Sequence, residues 1–546
     1  MKHGEMSKGT STIKNVFTVG AFTMLSRVLG LVREMLQSRL IGAGMEQAAF
    51  TLAFAIPNMA RKLFGEGALT AAFVPVFKGE VESDSLERAS QLARAVMTMV
   101  LLMLGAIVLL LMGGLEVVVH FRDALGLKDT PRLLLTIRLI KTLLPYMIFI
   151  CGAAFGMGVL NALGRFKASS FMPCLLNFFW IGILAWLALS GVIHEAYPDF
   201  LPGLFTDYRL DQRIHRVAMA ILIAGAAQMA FMFWCMHKAG VSPRLSFAGW
   251  RDSKVVLVWK NLGIAALGAG AIQINYMLDQ LLAQLASDWA AGVIGYAERL
   301  MDLPLGVIGV AFGTVLLPTF AGLFAKGDVN GAREALSSSV VSLMFVMLPA
   351  AAGLFALAPE ITAVIYQGGA FDSVATVRVS RALAVYAVGL GFFGFQKTMV
   401  PWFQAQNDMK TPLRVTVYTV VVNAALNILA VWLLPVEWRH VGLAGSTVLC
   451  AAIGCALLVA IARRRNGSLG LRKAFGVIGA PGPLMKMLAA SILMGLAVAA
   501  AKPLVANGPA LAALVALIAL GAAVYGVLSL LFMRDQVREL LRRRRR

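Results

Sequence analysis

The chain is 546 residues long, 59% hydrophobic and 14% charged, with a mean hydropathy of +0.79 and a formal net charge of +21. A soluble domain would carry about 25% charged residues, so a single water-soluble core is excluded in favour of many membrane-spanning helices. Nucleic-acid binding is excluded by placement, because lysine and arginine lie in short loops between apolar runs and in the tail Arg542 to Arg546.

Apolar windows of roughly 20 residues predict spans near 16–41, 47–77, 95–119, 142–163, 171–193, 217–236, 261–287, 292–325, 337–358, 382–402, 415–435, 441–462, 487–505 and 509–533. Lys2, Lys8 and Lys14 precede the first span, but Arg27 and Arg33 interrupt it and no small-residue cleavage site follows. It therefore reads as a span, not a removable signal peptide. With the N-terminus inside, inner segments collect roughly thirty Lys/Arg against about a dozen outside, as the positive-inside rule requires. The 120–141 connection is the awkward outer loop, with Arg122, Lys128, Arg132 and Arg138. Cys151, Cys174, Cys235, Cys450 and Cys455 all fall inside spans without metal-type spacing, and read as small apolar residues.

An internal repeat sets the architecture. Pro75 in AAFVPVFKGE and Pro318 in GTVLLPTFAGLFAKGD are 243 residues apart, and so are Lys167 and Lys410 in two polar turns after span ends. Six spans separate the copies, so both halves insert in the same orientation, with the cargo site expected between two lobes. The predicted organisation is an N-terminal lobe 1–237, a cytoplasmic linker 238–260, a C-terminal lobe 261–462, an interfacial segment 463–486, two extra helices over 487–533 and a basic tail 534–546. The fold class is thus an all-α polytopic membrane protein of fourteen helices around a central cationic cavity.

Three charged clusters interrupt otherwise apolar spans: Arg27, Arg33 and Glu34 in SRVLGLVRE; Arg61, Lys62 and Glu66 in PNMARKLFGEG; and Glu298, Arg299 and Asp302 in ERLMDLP. A cation at bilayer depth costs about 3 kcal/mol even on the mildest scale, and is tolerated facing a wet cavity or a partner charge. The cargo is expected to be anionic. Arginine suits diphosphate, since its planar fork gives two parallel hydrogen bonds. Pro57 and the Gly65-Glu66-Gly67 run should loosen the second span and expose N–H groups beside Arg61 and Lys62. The competing reading is that these arginines only pair with Glu34, Glu66 and Asp302 and fix helix packing. Lys397 would add a cation to the cavity or snorkel to the inner interface. Asp279, with Asn423 and Asn427, would hold Na⁺ or titrate as a proton site, or Asp279 simply hydrogen-bonds neighbouring helices. No HExxH, Walker A or nucleotide-binding context occurs, so the chain reads as a transporter without a cofactor, driven by Na⁺, H⁺ or membrane potential.

SRVLGLVRE, the GAG at 42–44, AFAIPNMARKLFGEGALTAAFVPVF, YAERLMDLPLGVIGVAFGTVLLP and QNDMKTP resemble the MurJ (MviN) family of bacterial lipid II flippases. That family lies within the MATE-like multidrug/oligosaccharidyl-lipid/polysaccharide exporter superfamily. The resemblance implies two six-helix lobes around a V-shaped cavity, with a groove for a lipid tail on the last two helices. The implied cargo is undecaprenyl-diphosphate-linked disaccharide-pentapeptide, moved across the bacterial inner membrane by a monomer whose termini are cytoplasmic, in contact with membrane lipids and cell-wall synthesis proteins. It also implies Arg27, Arg33, Arg61 and Arg299 as the required cavity set, with Glu66 matching a family acid. The chain departs from some members at Ala48, where they carry aspartate, while Glu34 and Glu298 stand where aspartate also occurs. Alternatives are a flippase for another polyprenyl-diphosphate-linked oligosaccharide and a MATE-type exporter, the latter predicting a cavity of the opposite charge.

Overall fold

The computed structural model describes residues 2–63, 68–83, 85–121, 131–196, 210–471, 476–477 and 480–534. It divides into two compact units, Met1–Gln280 with Gly368–Phe371, and Leu281–Gln367 with Asp372–Arg546. The first unit contains α1 (Lys2–Ile41), α2 (Met45–Ala60), α3 (Ala68–Ser83), α4 (Leu86–His120), α5 (Pro131–Leu143), α6 (Tyr146–Ala162), α7 (Phe166–Ala196) and α8 (Leu210–Lys238), and most of α9 (Ser253–Ala286). The second contains α10 (Ala290–Ala325), α11 (Val329–Ala356), α12 (Ala358–Tyr366), α13 (Ser373–Gln404), α14 (Lys410–Leu433), α15 (Val436–Asn466), α16 (Pro483–Val505) and α17 (Ala510–Phe532).

Helix is the expected solution, because a backbone in lipid must satisfy its own polar groups. Among the described residues, ten stretches are long and apolar enough to cross a membrane: α4, α5 with α6, α7, α8, α11, and α13 to α17. The remaining predicted spans, on α1, α2 with α3, α9 and α10, carry the charged clusters and Asp279. The repeat is visible in the element boundaries. α4 and α11 begin at Leu86 and Val329, 243 apart, while α6 and α13 end at Ala162 and Gln404, 242 apart.

Three expectations need correction. Residues 238–260, expected as a linker, and 261–280, expected in the C-terminal lobe, cluster with the first unit. The reason is burial: Val241, Val255, Val258 and Leu262 are packed in the first unit's apolar core, and Ser246 N donates to Thr98 Oγ1 at 2.8 Å. Lys254 also pairs with the buried Glu80. The connection expected on the outer side over 120–141 is partly helix, because Pro131 is preset for a first helical turn and Leu135, Leu139 and Leu143 bury one face of α5. Finally, the segment expected at the membrane interface over 463–486 contains an antiparallel pair, Gly476 with Pro481 and Val477 with Ala480. Pro481 lacks an N–H to continue a helix, and α16 restarts at Pro483. Arg472, Lys473 and the tail Arg542 to Arg546 lie outside the described residues.

Within each unit, small residues let helices approach closely, the usual device where lipid removes the hydrophobic drive. In the first unit α6 packs on α8, and a Cβ added at Gly152 would meet Met229 Sδ at 2.8 Å. At Gly225 it would meet the Tyr146 ring at 2.4 Å. In the second unit α13 packs on α15, where a Cβ at Gly389 would lie 2.6 Å from Val448. The outer surfaces are lipid-like: Leu110, Trp432 and Leu504 are 76%, 83% and 85% exposed. α16 and α17 dock on α11 and α12, tied by Lys502 Nζ to Glu360 Oε1 at 2.7 Å and by Tyr525 Oη donating to the Phe345 carbonyl at 3.0 Å.

The turn between α13 and α14 carries a titratable staple. Asp408 accepts from Thr411 N at 3.0 Å and from Arg465. Burial pushes its carboxyl pKa up, but these hydrogen bonds and the arginine charge outweigh that and hold it below its ordinary 3.8. A depressed carboxylate stabilises the fold above its unfolded value and loses that contribution as pH falls through the folded one. Asp408→Asn is therefore expected to melt earlier than wild type at pH 7, with the gap closing below pH 3.8. Parallel thermal melts in detergent check this.

Candidate cationic site

α1 supplies the first cluster. Arg27, Arg33 and Glu34 are all partly buried. Arg33 Nη2 donates to Glu34 Oε1 at 2.6 Å and Nη1 to Asn177 Oδ1 on α7 at 3.0 Å. Its guanidinium carbon lies 4.4 Å from the Trp180 ring centroid, a cation–π distance. Trp180 is itself packed edge-on against Phe50 and Phe54 of α2, with centroids at 5.7 and 5.5 Å. The indole Nε1 donates to Gln37 Oε1 at 2.7 Å, and Gln37 Nε2 donates to Gln47 Oε1 at 2.9 Å. This buried polar chain ties α1, α2 and α7 together.

The second cluster forms where α2 ends. Past Pro57 the helix widens into a π-helical turn over 61–63, a local form frequent at functional sites. The loosening expected from Pro57 is present there, while Glu66 and the flanking Gly65 and Gly67 lie outside the described residues. Arg61 donates from Nε and Nη2 to Asn58 Oδ1 at 3.1 and 3.0 Å. Lys62 Nζ lies 5.0 Å from the Tyr276 ring centroid on α9. One turn along, Asp279 Oδ2 accepts from Asn275 Nδ2 at 3.2 Å. Phe54 of α2 meets both the Trp180 ring under Arg33 and the buried Tyr146 ring, with centroids at 5.5 and 6.1 Å, which links the first cluster to the helix that carries the second.

The second unit holds the remaining candidates. On α10, Glu298 Oε1 accepts from Tyr386 Oη at 3.4 Å, while Arg299 and Asp302 are exposed. Lys397 on α13 is exposed as well. Asn423 and Asn427 are 3% and 1% exposed and close a ring with Ser446 of α15: Asn427 Nδ2 donates to Asn423 Oδ1 at 3.1 Å, Asn423 Nδ2 to Ser446 Oγ at 3.4 Å, and Ser446 to Asn427. The three residues expected as a cation site thus divide between the units, Asp279 in the first and the asparagine pair in the second.

Sequence reading missed Asn177, Trp180, Gln37, Gln47 and Tyr276, all polar-tipped groups inside apolar helices. The available signal was a hydrogen-bonding side chain in a span, such as the lone asparagine of LLNFFW. Such groups must find partners in lipid. Chemically, the first unit offers several guanidinium and ammonium donors, with the neutral groups Asn58, Asn177 and Tyr276 among their partners and the Glu34 carboxylate on Arg33.

The chain matches the profile of the family described as lipid II flippase MurJ over residues 37–521. A probable lipid II flippase MurJ of Rhizobium tropici is 33% identical over 420 residues, covering 77% of this chain and 75% of that protein. Its counterpart in Vibrio cholerae is 31% identical over 466 residues, covering 83% of each. Among solved structures, a lipid II flippase MurJ in an inward closed conformation aligns with TM-score 0.72 at 22% identity, over 95% of this chain and 99% of that one. An inward-facing MATE multidrug transporter aligns at 0.63 and 16% identity over 83% and 98%, which shares the fold alone. The profile spans most of the chain and the relatives are similar along most of their length, so this multi-pass membrane protein belongs to the MurJ family.

Proposed function

We propose that this protein is a flippase that carries lipid II, the polyprenyl-diphosphate-linked peptidoglycan precursor, from the inner to the outer leaflet of the bacterial cytoplasmic membrane. The observation that carries the reading is the gathering of Arg33, Arg61 and Lys62 inside helices of a membrane-spanning unit, oriented by Asn177, Asn58 and Tyr276. Family membership supplies the cargo class.

The diphosphate meets Arg27, Arg33, Arg61 and Lys62 of the first unit. Charge-assisted, bidentate hydrogen bonds replace the water lost by the phosphates. The polyprenyl tail remains in lipid, beside the exposed apolar faces of α16 and α17. Transport follows alternating access, and the cationic contacts must weaken in the outward-open state, because equal affinity on both sides would shift nothing. The basic clusters Arg463 to Arg465 on α15 and Lys238, Arg244 and Arg251 at and beyond the end of α8 favour cytoplasmic placement of those ends, and with them cytoplasmic termini. An exporter of cationic drugs would need acids where these cations stand.

Farnesyl diphosphate is a soluble probe of the headgroup chemistry. Calorimetry on the purified protein is expected to show binding that weakens as salt rises and is absent for farnesol. Equal binding of farnesol would show that the diphosphate is not recognised.

A further inference from the structure

Among the described residues, every group that holds Arg33 comes from α1 or α7. Nη2 goes to Glu34 at 2.6 Å, Nη1 goes to Asn177 Oδ1 at 3.0 Å, and the plane lies over Trp180. Nε is buried without a hydrogen-bond partner among the described residues, so the guanidinium is held by its tips and its face. Asn177 also acts in the other direction: its Nδ2 donates at 3.0 Å to the carbonyl oxygen of Ser26, the residue before Arg27. The amide orientation is settled by these partners, since exchanging O and N would set a donor against a guanidinium and an acceptor against a carbonyl. Trp180 follows Asn177 by three residues on the same helical face. It is 3% exposed, and Gln37 and Gln47 brace its indole.

We propose that Asn177, with Trp180 beneath it, is a positioning residue for the cargo diphosphate: it fixes the orientation of the Arg33 guanidinium and anchors the α1 backbone next to Arg27. This rests on the diphosphate reading above. Glu34 and Asn177 divide the work. Glu34 offsets charge, whereas Asn177 orients through a neutral oxygen and leaves the site cationic. An unheld arginine would spread over many rotamers, and ordering it would fall to the cargo. An aspartate at 177 would be nearly isosteric yet would set a second carboxylate on Arg33, lowering its attraction for an anion. A purely structural asparagine would cost the same binding whether or not Arg33 is present, which the double variant below reads.

The test is calorimetry with farnesyl diphosphate on purified full-length protein, for wild type, Asn177→Leu, Asn177→Asp, Arg33→Ala and Arg33→Ala/Asn177→Leu, with a thermal melt of each. Asn177→Leu is expected to weaken binding about tenfold or more, the scale of a lost hydrogen bond to a charged group. Asn177→Asp should weaken it further, and the double variant should fall well short of the product of the two single losses. Wild-type affinity in Asn177→Asp, or losses that multiply, would overturn the positioning role. If Asn177→Leu does not fold, Asn177→Ala takes its place in the cycle with Arg33→Ala. A wild-type protein that ignores farnesyl diphosphate refutes the diphosphate reading instead, so the two failures are distinct.

Discussion

Replacing Arg61 with alanine is expected to abolish growth of a flippase-depleted cell that depends on this protein, and to cut headgroup translocation about a hundredfold. Arg61 sits in the π-helical turn at the end of α2, and Asn58 holds its Nε and Nη2. Truncating one partner of a desolvated, hydrogen-bonded charge pair costs about 2–5 kcal/mol, and each 1.4 kcal/mol is roughly tenfold. Arg61→Lys keeps the charge and loses the fork, and should retain intermediate activity. Complementation at matched expression checks both. Full growth with Arg61→Ala would remove this residue from cargo recognition.

The second large effect is on stability. Gly225→Ala in α8 would drive a Cβ to 2.4 Å from the Tyr146 ring and 3.3 Å from Phe149 Cβ. Tyr146 is 1% exposed and packs against Phe54, so the ring has little room to retreat. Overpacking of this kind costs about 1–3 kcal/mol, and Gly225→Leu more. Pairing Gly225→Ala with Tyr146→Leu should recover part of the loss, whereas Tyr146→Phe should not, because the clash is with ring carbons Cδ2 and Cε2. Melting temperatures in detergent read this directly. Since Tyr146 packs against Phe54, which in turn packs against the Trp180 ring under Arg33, the same displacement is expected to weaken farnesyl diphosphate binding.

What was legible in the sequence follows from what leaves a periodic or compositional trace. The apolar spans and the 243-residue repeat do, because membrane thickness fixes span length and a duplicated unit keeps its boundaries. Arg33 and Arg61 stood out because charge within an apolar window is rare. Their supports did not. Asn177, Trp180 and Tyr276 look like ordinary residues of apolar helices, and only the packing of α7 on α1 and of α9 beside the α2 terminus shows which cation each one holds. The π-helical turn after Pro57 was signalled by that proline, but α10 runs as a continuous helix through Pro304, which shows that proline alone does not decide. The linker was misplaced because Lys254 and Lys260 suggest a solvated loop, while the intervening Val255 and Val258 bury a helical face. Asp279 and the asparagine pair were grouped by chemistry alone, and chain topology assigns them to different units.

The most direct measurement is headgroup translocation in liposomes. Purified protein is reconstituted into vesicles carrying lipid II, and arrival of the headgroup on the opposite leaflet is followed with and without a Na⁺ gradient or a membrane potential. Protein-dependent translocation under at least one of these conditions, lost in Arg61→Ala, is the predicted result. Vesicles in which lipid II crosses no faster with the protein than without it, under every gradient, would contradict it.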